Sequence, residues 1–173
     1  GGAGADTILS NGGADSISGG DGNDSLVGGA GNSSIIGDAG NDTIVGGAGN
    51  ETLAGGDGDD VISTGGGNDI VRGGTGNDAI TGGAGNENIT GGEGNDTIDG
   101  AAGADTITGS AGTDVLTGGA GADRFVFAAG DSSSVAGAQD TITDYVAGTD
   151  VIALGVVGTS GPSGNFQIAD PTV

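Results

Sequence analysis

The sequence predicts an all-β protein: a right-handed parallel β-roll of 14 nine-residue repeats, followed by a C-terminal capping segment. Three observations predict this fold. The repeats run without a gap from Gly1 to Val126, and the fourth position is glycine in all 14. The eighth position is always a large apolar residue, and the sixth is aspartate in 11 repeats. A disordered linker has no reason to keep such a register, whereas a short fixed period is typical of a solenoid.

Each repeat is expected to divide into a turn and a strand. The first six residues, of the form GGxGxD, suit a turn because glycine allows positive φ and close backbone approach. The last three, such as Thr43-Ile44-Val45, suit a short strand whose central side chain points to one face. One apolar residue per repeat cannot make a core alone, but 14 stacked in register can form a thin continuous one. Two turn-strand units would close one coil, so that successive coils pair as parallel strands.

The composition limits which kinds of partner this chain can bind. It has 24 acidic residues against two basic ones, Arg72 and Arg124, and a formal charge of −22. Nucleic acids and anionic membranes are therefore disfavoured, because binding them requires basic residues. The lack of cysteine and histidine excludes zinc sites, thiol nucleophiles and imidazole bases. A hard cation remains, and each predicted turn offers carbonyls and a carboxylate, the oxygen ligands that calcium prefers.

The best repeats resemble a known family. GGDGNDSLV (19–27), GGTGNDAIT (73–81) and GGEGNDTID (91–99) are similar to the calcium-binding nonapeptides of the RTX (repeats-in-toxin) family of secreted bacterial proteins. The resemblance implies a parallel β-roll with calcium between the turns of repeats n and n+2. It implies ligands from the carboxylate of position six and from the carbonyls of positions two and four, with on the order of ten ions per chain.

Carried over to this sequence, the resemblance implies two sets of ligands. The carboxylate ligands within the repeats are Asp6, Asp15, Asp24, Asp42, Asp60, Asp69, Asp78, Asp96, Asp105, Asp114 and Asp123. The carbonyl ligands are those of Gly2, Gly4, Gly20, Gly22, Asp38, Gly40, Gly56, Gly58, Gly65, Gly67, Gly74, Gly76, Gly92, Gly94, Ala101, Gly103, Ser110, Gly112, Gly119 and Gly121.

The implied pairing sorts position six into two rows. The odd repeats supply an unbroken row of aspartates from Asp6 to Asp114. The even row contains all three departures, Ser33, Glu51 and Glu87. Serine has no charge, and glutamate adds a methylene that shifts the carboxylate. We therefore expect the odd row to be fully loaded and the even row to bind weakly or incompletely.

Residues 127–173 leave the ninefold register and are expected to form a separate cap behind the roll at 1–126. RFVF (124–127), Asp131-Ser132 and the stretch 140–154 resemble the segment after the repeats in serralysin-type secreted metalloproteases. This resemblance implies Asp131 and Asp140 as ligands of a terminal calcium, although Ala153 stands where that family carries Asp. The cap is also expected to include or lead to a secretion signal.

No catalytic constellation is present in the sequence, so the chain is expected not to be an enzyme itself. The adjacent Asp59 and Asp60 are interpreted as turn residues or calcium ligands. The RTX resemblance implies a module that folds on calcium outside the cell and aids type I secretion, with the secretion machinery as a transient partner. It also implies a covalently linked upstream domain. Two parent proteins remain open: an extracellular hydrolase, or a structural surface protein such as an S-layer protein or adhesin.

Overall fold

The computed structural model describes residues 1–128, 131, 138–155 and 166–169, and these ranges contain strands and turns but no helix. Accordingly, nothing in them is a helix long and apolar enough to cross a membrane. The strands are β1 (Gly2–Ala3), β2 (Thr7–Leu9), β3 (Ser16–Asp21), β4 (Ser25–Gly29), β5 (Ser34–Ala39), β6 (Thr43–Gly47), β7 (Thr52–Asp57), β8 (Val61–Gly66), β9 (Ile70–Thr75), β10 (Ala79–Ala84), β11 (Asn88–Glu93), β12 (Thr97–Ala102), β13 (Thr106–Ala111), β14 (Val115–Thr117), β15 (Arg124–Phe127), β16 (Asp140–Ile142), β17 (Val151–Leu154) and β18 (Phe166–Ile168).

The strands form two parallel sheets of nine strands each. The odd-numbered strands make one sheet and the even-numbered strands make the other, in chain order. The chain therefore crosses from one sheet to the other at every turn, and two repeats make one coil. Residues 18 apart pair in register, as Ile62, Ile80 and Ile98 do in the second sheet. This arrangement confirms the predicted parallel β-roll.

The strands are longer than the sequence predicted. In β10 and most of its neighbours the strand covers six residues, from position seven of one repeat to position three of the next. The predicted six-residue turn was therefore wrong, and only positions four to six turn. Glycine-rich positions two and three pair with the coils on either side, as Gly83 does with Gly65 and Ala101. The pairing skips position one in these strands, so the ladder is interrupted just where the chain approaches the turn.

The core is the column of position-eight side chains enclosed between the two sheets. Each one from Leu26 to Phe125 is at most 2% exposed. Burial of side chains of this size contributes roughly 1.5–3 kcal/mol each. Ile8, at the open end of the column, is only partly buried. The core members are Ile17, Leu26, Ile35, Ile44, Leu53, Ile62, Val71, Ile80, Ile89, Ile98, Ile107, Leu116, Phe125, Phe127 and Ile142.

The described part of the tail continues both sheets. β16 pairs with β14, β17 with β15, and β18 with β16, all in parallel. Ile142 extends the apolar column, so this part of the tail adds layers to the roll without the nine-residue spacing. The boundary at residue 126 stays a prediction. Ser132 and the last residues of the chain, where a secretion signal was expected, lie outside the described residues.

Candidate metal centre

Two rows of position-six side chains run along the two edges where the chain turns between the sheets. We call them the odd edge and the even edge, after the repeats that supply them. On the odd edge, the Oδ1 atom of each aspartate from Asp24 to Asp114 accepts a hydrogen bond from the backbone N–H of the aspartate 18 residues earlier, as Asp60 does from Asp42 at 2.8 Å. Asp140 accepts the N–H of Asp114, which lies 26 residues earlier. These bonds measure 2.7–3.0 Å from Asp6 to Asp140. One carboxylate oxygen therefore ties neighbouring coils together.

For the aspartates from Asp24 to Asp114, the second carboxylate oxygen has no hydrogen-bond donor. On the odd edge this holds for the Oδ2 atoms of Asp24, Asp42, Asp60, Asp78, Asp96 and Asp114, whose side chains are at most 3% exposed. Burying a charge without a partner is costly. Burial accordingly raises the pKa of Asp60 to about 7, and the pKa values of Asp96 and Asp114 to about 6. A proton or a cation bound to these carboxylates would therefore stabilise the row.

The unpartnered oxygens face main-chain carbonyls. At Gly55, the Oδ2 of Asp60 and the carbonyl oxygen of Gly73 both lie within 2.6 Å of the point where a Cβ would be. The same convergence occurs at Gly19 with Asp24 and the Gly37 carbonyl. Position-one glycine thus leaves open a space that a side chain would fill, beside one carboxylate oxygen and one carbonyl oxygen.

The carbonyls of positions two and four lie close to the same positions of the next coil. A Cβ on Gly22 would lie 2.5 Å from the Gly4 carbonyl oxygen, and Gly22 has a φ of 123°. Glycine is needed at position four because a φ of this size is strained for a residue with a side chain. Position two tolerates Asp38, Ala101 and Ser110, at φ values of 70–81°, close to the left-handed minimum. The predicted carbonyl ligands therefore lie between stacked turns, although their role as ligands stays a prediction.

The donor set fits calcium. It consists of carboxylate and carbonyl oxygens in turns, which suit the flexible six to eight oxygen ligands of that ion. Nowhere in the described ranges do three acidic side chains form a group that could hold a metal ion. An ion between two turns would therefore take most of its ligands from the main chain. The position-one carbonyls, which the sequence analysis did not name, are additional candidates.

The even edge is irregular. Asp105 and Asp123 repeat the odd-edge geometry, with an Oδ1 that accepts a backbone N–H and a buried Oδ2 without a donor. Glu51 and Glu87 differ, because both oxygens of each carboxylate lack a donor. Burial, followed by the charge of Asp69, raises the pKa of Glu51 to about 7. Burial and the charge of Asp105 do the same for Glu87. Each glutamate therefore forms an acidic pair with the aspartate one coil further on.

The ends of the two rows include three tail aspartates. The Oδ1 of Asp140 accepts the backbone N–H of Asp114 at 3.0 Å, so Asp140 follows Asp114 on the odd edge, and its role as a ligand of a terminal calcium stays a prediction. Asp131 accepts the backbone N–H of Ala128, and its charge contributes to raising the pKa of Asp114. Asp150, which the sequence analysis missed, ends the even edge. Its Oδ1 accepts the N–H of Asp123 at 3.1 Å and its Oδ2 that of Val146 at 2.7 Å. The Asp-x-Ile order of residues 150–152 was the signal that could have revealed it.

A second ladder, also missed from the sequence, runs along the outside of the turns. Position-five side chains accept the backbone N–H of the residue 18 positions later, at 2.7–3.1 Å, so this ladder points in the opposite direction to the carboxylate ladder. Asp59 belongs to it and is exposed, whereas Asp60 is buried, so the two carboxylates face opposite sides of the turn. The accepting residues are Asn23, Asn32, Asn41, Asn50, Asp59, Asn68, Asn77, Asn86 and Asn95.

A parallel β-roll whose stacked turns set buried carboxylates against main-chain carbonyls belongs to the class of calcium-binding repeat proteins. The model of the RTX calcium-binding nonapeptide repeat matches this chain in overlapping segments, 1–35, 18–50, 27–62, 45–80, 63–98, 81–115 and 99–133. The chain therefore belongs to the RTX calcium-binding repeat family, and it is a calcium-binding β-roll. A search of curated proteins gave no match.

Proposed function

We propose that this chain is a calcium-triggered folding module of a larger secreted bacterial protein. The observation that carries the proposal is the row of buried aspartates with unpartnered Oδ2 atoms on the odd edge. In the absence of cations these carboxylates repel one another, and the chain as a whole carries a formal charge of −22. Calcium would neutralise the rows, so binding and folding are coupled.

The proposed ligands are the position-six carboxylates and the carbonyls of positions two and four, together with Asp131 and Asp140 at the end of the roll. Extracellular calcium modules bind with dissociation constants of ~10⁻⁴–10⁻³ M. At ten times that concentration each site adds about 1.4 kcal/mol to stability. On the order of ten sites acting together would decide whether the chain is folded. The chain would stay unfolded at cytosolic calcium and fold outside the cell, which is how the module would aid type I secretion.

A calcium titration followed by far-UV circular dichroism tests the proposal. We expect a cooperative transition from coil to β-structure at roughly 0.1–1 mM calcium. Magnesium is the control, because it requires near-ideal octahedral geometry and loses its water reluctantly. A chain that shows full β-structure in chelator would contradict the proposal, since the apolar column alone would then hold the roll.

We propose an extracellular hydrolase as the parent protein, because the tail resembles the segment after the repeats of serralysin-type proteases. The coding sequence upstream of Gly1 tests this. An HExxH or GxSxG motif there would support the hydrolase. Further Thr/Ala-rich strands there would instead support a surface scaffold of the S-layer or adhesin kind.

A further inference from the structure

The first coils of the even edge are held by hydroxyl groups. The Ser10 hydroxyl donates a hydrogen bond to the Asp15 carboxylate. The Ser33 hydroxyl accepts the backbone N–H of Asp15 at 3.3 Å and donates to the Gly31 carbonyl at 3.3 Å. We call Ser10, Asp15 and Ser33 the serine cluster. A hydroxyl can donate and accept at once. The Ser10 hydroxyl thus gives the Asp15 carboxylate a donor, and the Ser33 hydroxyl bonds to main-chain atoms on both sides, without a cation.

The serine cluster differs from the opposite edge of the same coils. There, Asp24 and Asp42 each have a buried Oδ2 without a donor. In the cluster, the Asp15 carboxylate has the Ser10 hydroxyl as a donor. Ser10 occupies position one, where odd repeats have glycine, so its side chain stands in the space that those glycines leave open.

The turn at Ser33 lacks the position-six carboxylate that most other turns have. At Gly28, the Gly46 carbonyl oxygen lies 2.6 Å from the point where a Cβ would be, as its counterparts do on the odd edge. No carboxylate oxygen is among the atoms nearest to that point, and the nearest side-chain atom is the Ile35 Cδ1 methyl at 2.9 Å. The carbonyl half of a site is present here, but its charged half is missing.

We infer that calcium loads the two edges unequally: ions occupy the odd edge along its length, whereas the serine cluster holds none, because its hydroxyls make the contacts that the ion makes elsewhere. This inference rests on the proposed calcium-dependent folding. It extends the expectation of a weak even row, because it assigns the calcium-free stretch to particular side chains and names the atoms that replace the ion.

The test is to build the missing half of the site and count ions. Ser33→Asp supplies the carboxylate opposite the Gly46 carbonyl, and we expect about one additional calcium ion per molecule in equilibrium dialysis. The matched control is Ser34→Asp, which adds the same charge one residue away on an exposed outward position and should add no ion. Ser10→Gly is a second variant, which removes the hydroxyl donor and opens the space beside Asp15. It should also add about one ion.

The converse variants complete the test. Asp60→Asn, on the odd edge, should reduce the number of bound ions, whereas Ser33→Ala should leave it unchanged. The inference is overturned if Ser33→Ala lowers the number as Asp60→Asn does, or if the folded Ser33→Asp and Ser10→Gly proteins both bind no more calcium than the wild type. A wild-type chain that binds no calcium at millimolar concentration would instead refute the proposed function, so the two failures are distinguishable.

Discussion

Two hydrogen-bond ladders run along the turns: an inner ladder of position-six carboxylates and an outer ladder of position-five side chains. Both accept backbone N–H groups of neighbouring coils, but with different consequences. Outside, the Asn86 amide accepts the backbone N–H of Ala104 at 2.8 Å and remains neutral and exposed. Inside, the Asp60 carboxylate accepts the N–H of Asp42 at the same distance, but its second oxygen is buried without a donor. The comparison shows that capping the backbone does not need a charge. The proposed binding of calcium thus accounts for the charge of the inner aspartates, whereas the outer asparagines need only to join neighbouring coils.

Acidification in chelator should have the largest effect, because it acts on the whole inner ladder at once. Burial raises the pKa of Asp60 to about 7 and that of Asp114 to about 6, above the ordinary value near 3.8. The folded chain then holds protons that the unfolded chain releases, so this stabilisation is complete below about pH 4 and is lost as the pH rises through the folded-state values. Circular dichroism in chelator should show more β-structure at pH 5 than at pH 7.5.

Calcium should add less stability at pH 5 than at pH 7.5, because protons compete with the ion for the same oxygens. The β-structure gained on adding saturating calcium, measured by circular dichroism, should therefore be smaller at pH 5 than at pH 7.5. Asparagine amides do not titrate in this range, so the outer ladder contributes nothing to the effect. An equal gain at both pH values would contradict the assignment of calcium to the inner ladder.

Asp60→Asn should have the next largest effect, and its sign should depend on calcium. The amide keeps an oxygen acceptor for Asp42 but removes a buried charge. In calcium we expect a loss of roughly 1–3 kcal/mol in the free energy of unfolding, the range for leaving a buried polar partner unsatisfied. In chelator at neutral pH, where the wild type is expected to be largely unfolded, the variant should show at least as much β-structure in circular dichroism. Urea unfolding at several calcium concentrations measures the loss in calcium, and equal destabilisation under all of them would be the contrary outcome.

Asn86→Ala should have a smaller effect that calcium does not change. It removes the acceptor for the Ala104 N–H, which should cost about 1 kcal/mol. Asn86→Asp is the matched variant, because it keeps the acceptor, as Asp59 does in the native ladder. Urea unfolding at low and high calcium should give the same loss for Asn86→Ala. A loss that grows with calcium would place this side chain among the groups linked to the ion.

Asp59→Asn should have the smallest effect. The exposed residue keeps its acceptor for the Asn77 N–H, and exposed substitutions of this kind usually change stability by less than about 0.5 kcal/mol. The charge of Asp59 contributes to the raised pKa of Asp60, so the variant should slightly lower that pKa. A carbon-detected NMR titration of the Asp60 carboxyl in chelator at moderately acidic pH, where the chain is expected to be folded, would measure the change.

Much of the fold could be predicted because one side chain type at one position carries each structural role. Isoleucine and leucine at position eight gave the core, and aspartate at position six gave the inner row. The length of the strands could not be predicted, because Gly82-Gly83 has the composition of a turn and is extended only through pairing with neighbouring coils. The outer ladder could not be predicted for a similar reason. Asparagine in a turn is common, and only the stacking of coils shows that Asn86 accepts a bond from a residue 18 positions away.

The spacing of 18 residues between bonded partners also limits how such a chain can change in length. Insertion or deletion of 18 residues within the repeats adds or removes a whole layer, and every other side chain keeps its edge and its neighbours. A change of nine residues has a different result. It transfers every downstream position-six side chain to the opposite edge, and the uninterrupted row of aspartates would then continue into Glu51, Asp69 and Glu87. Length variation that preserves the two edges must therefore occur in pairs of repeats.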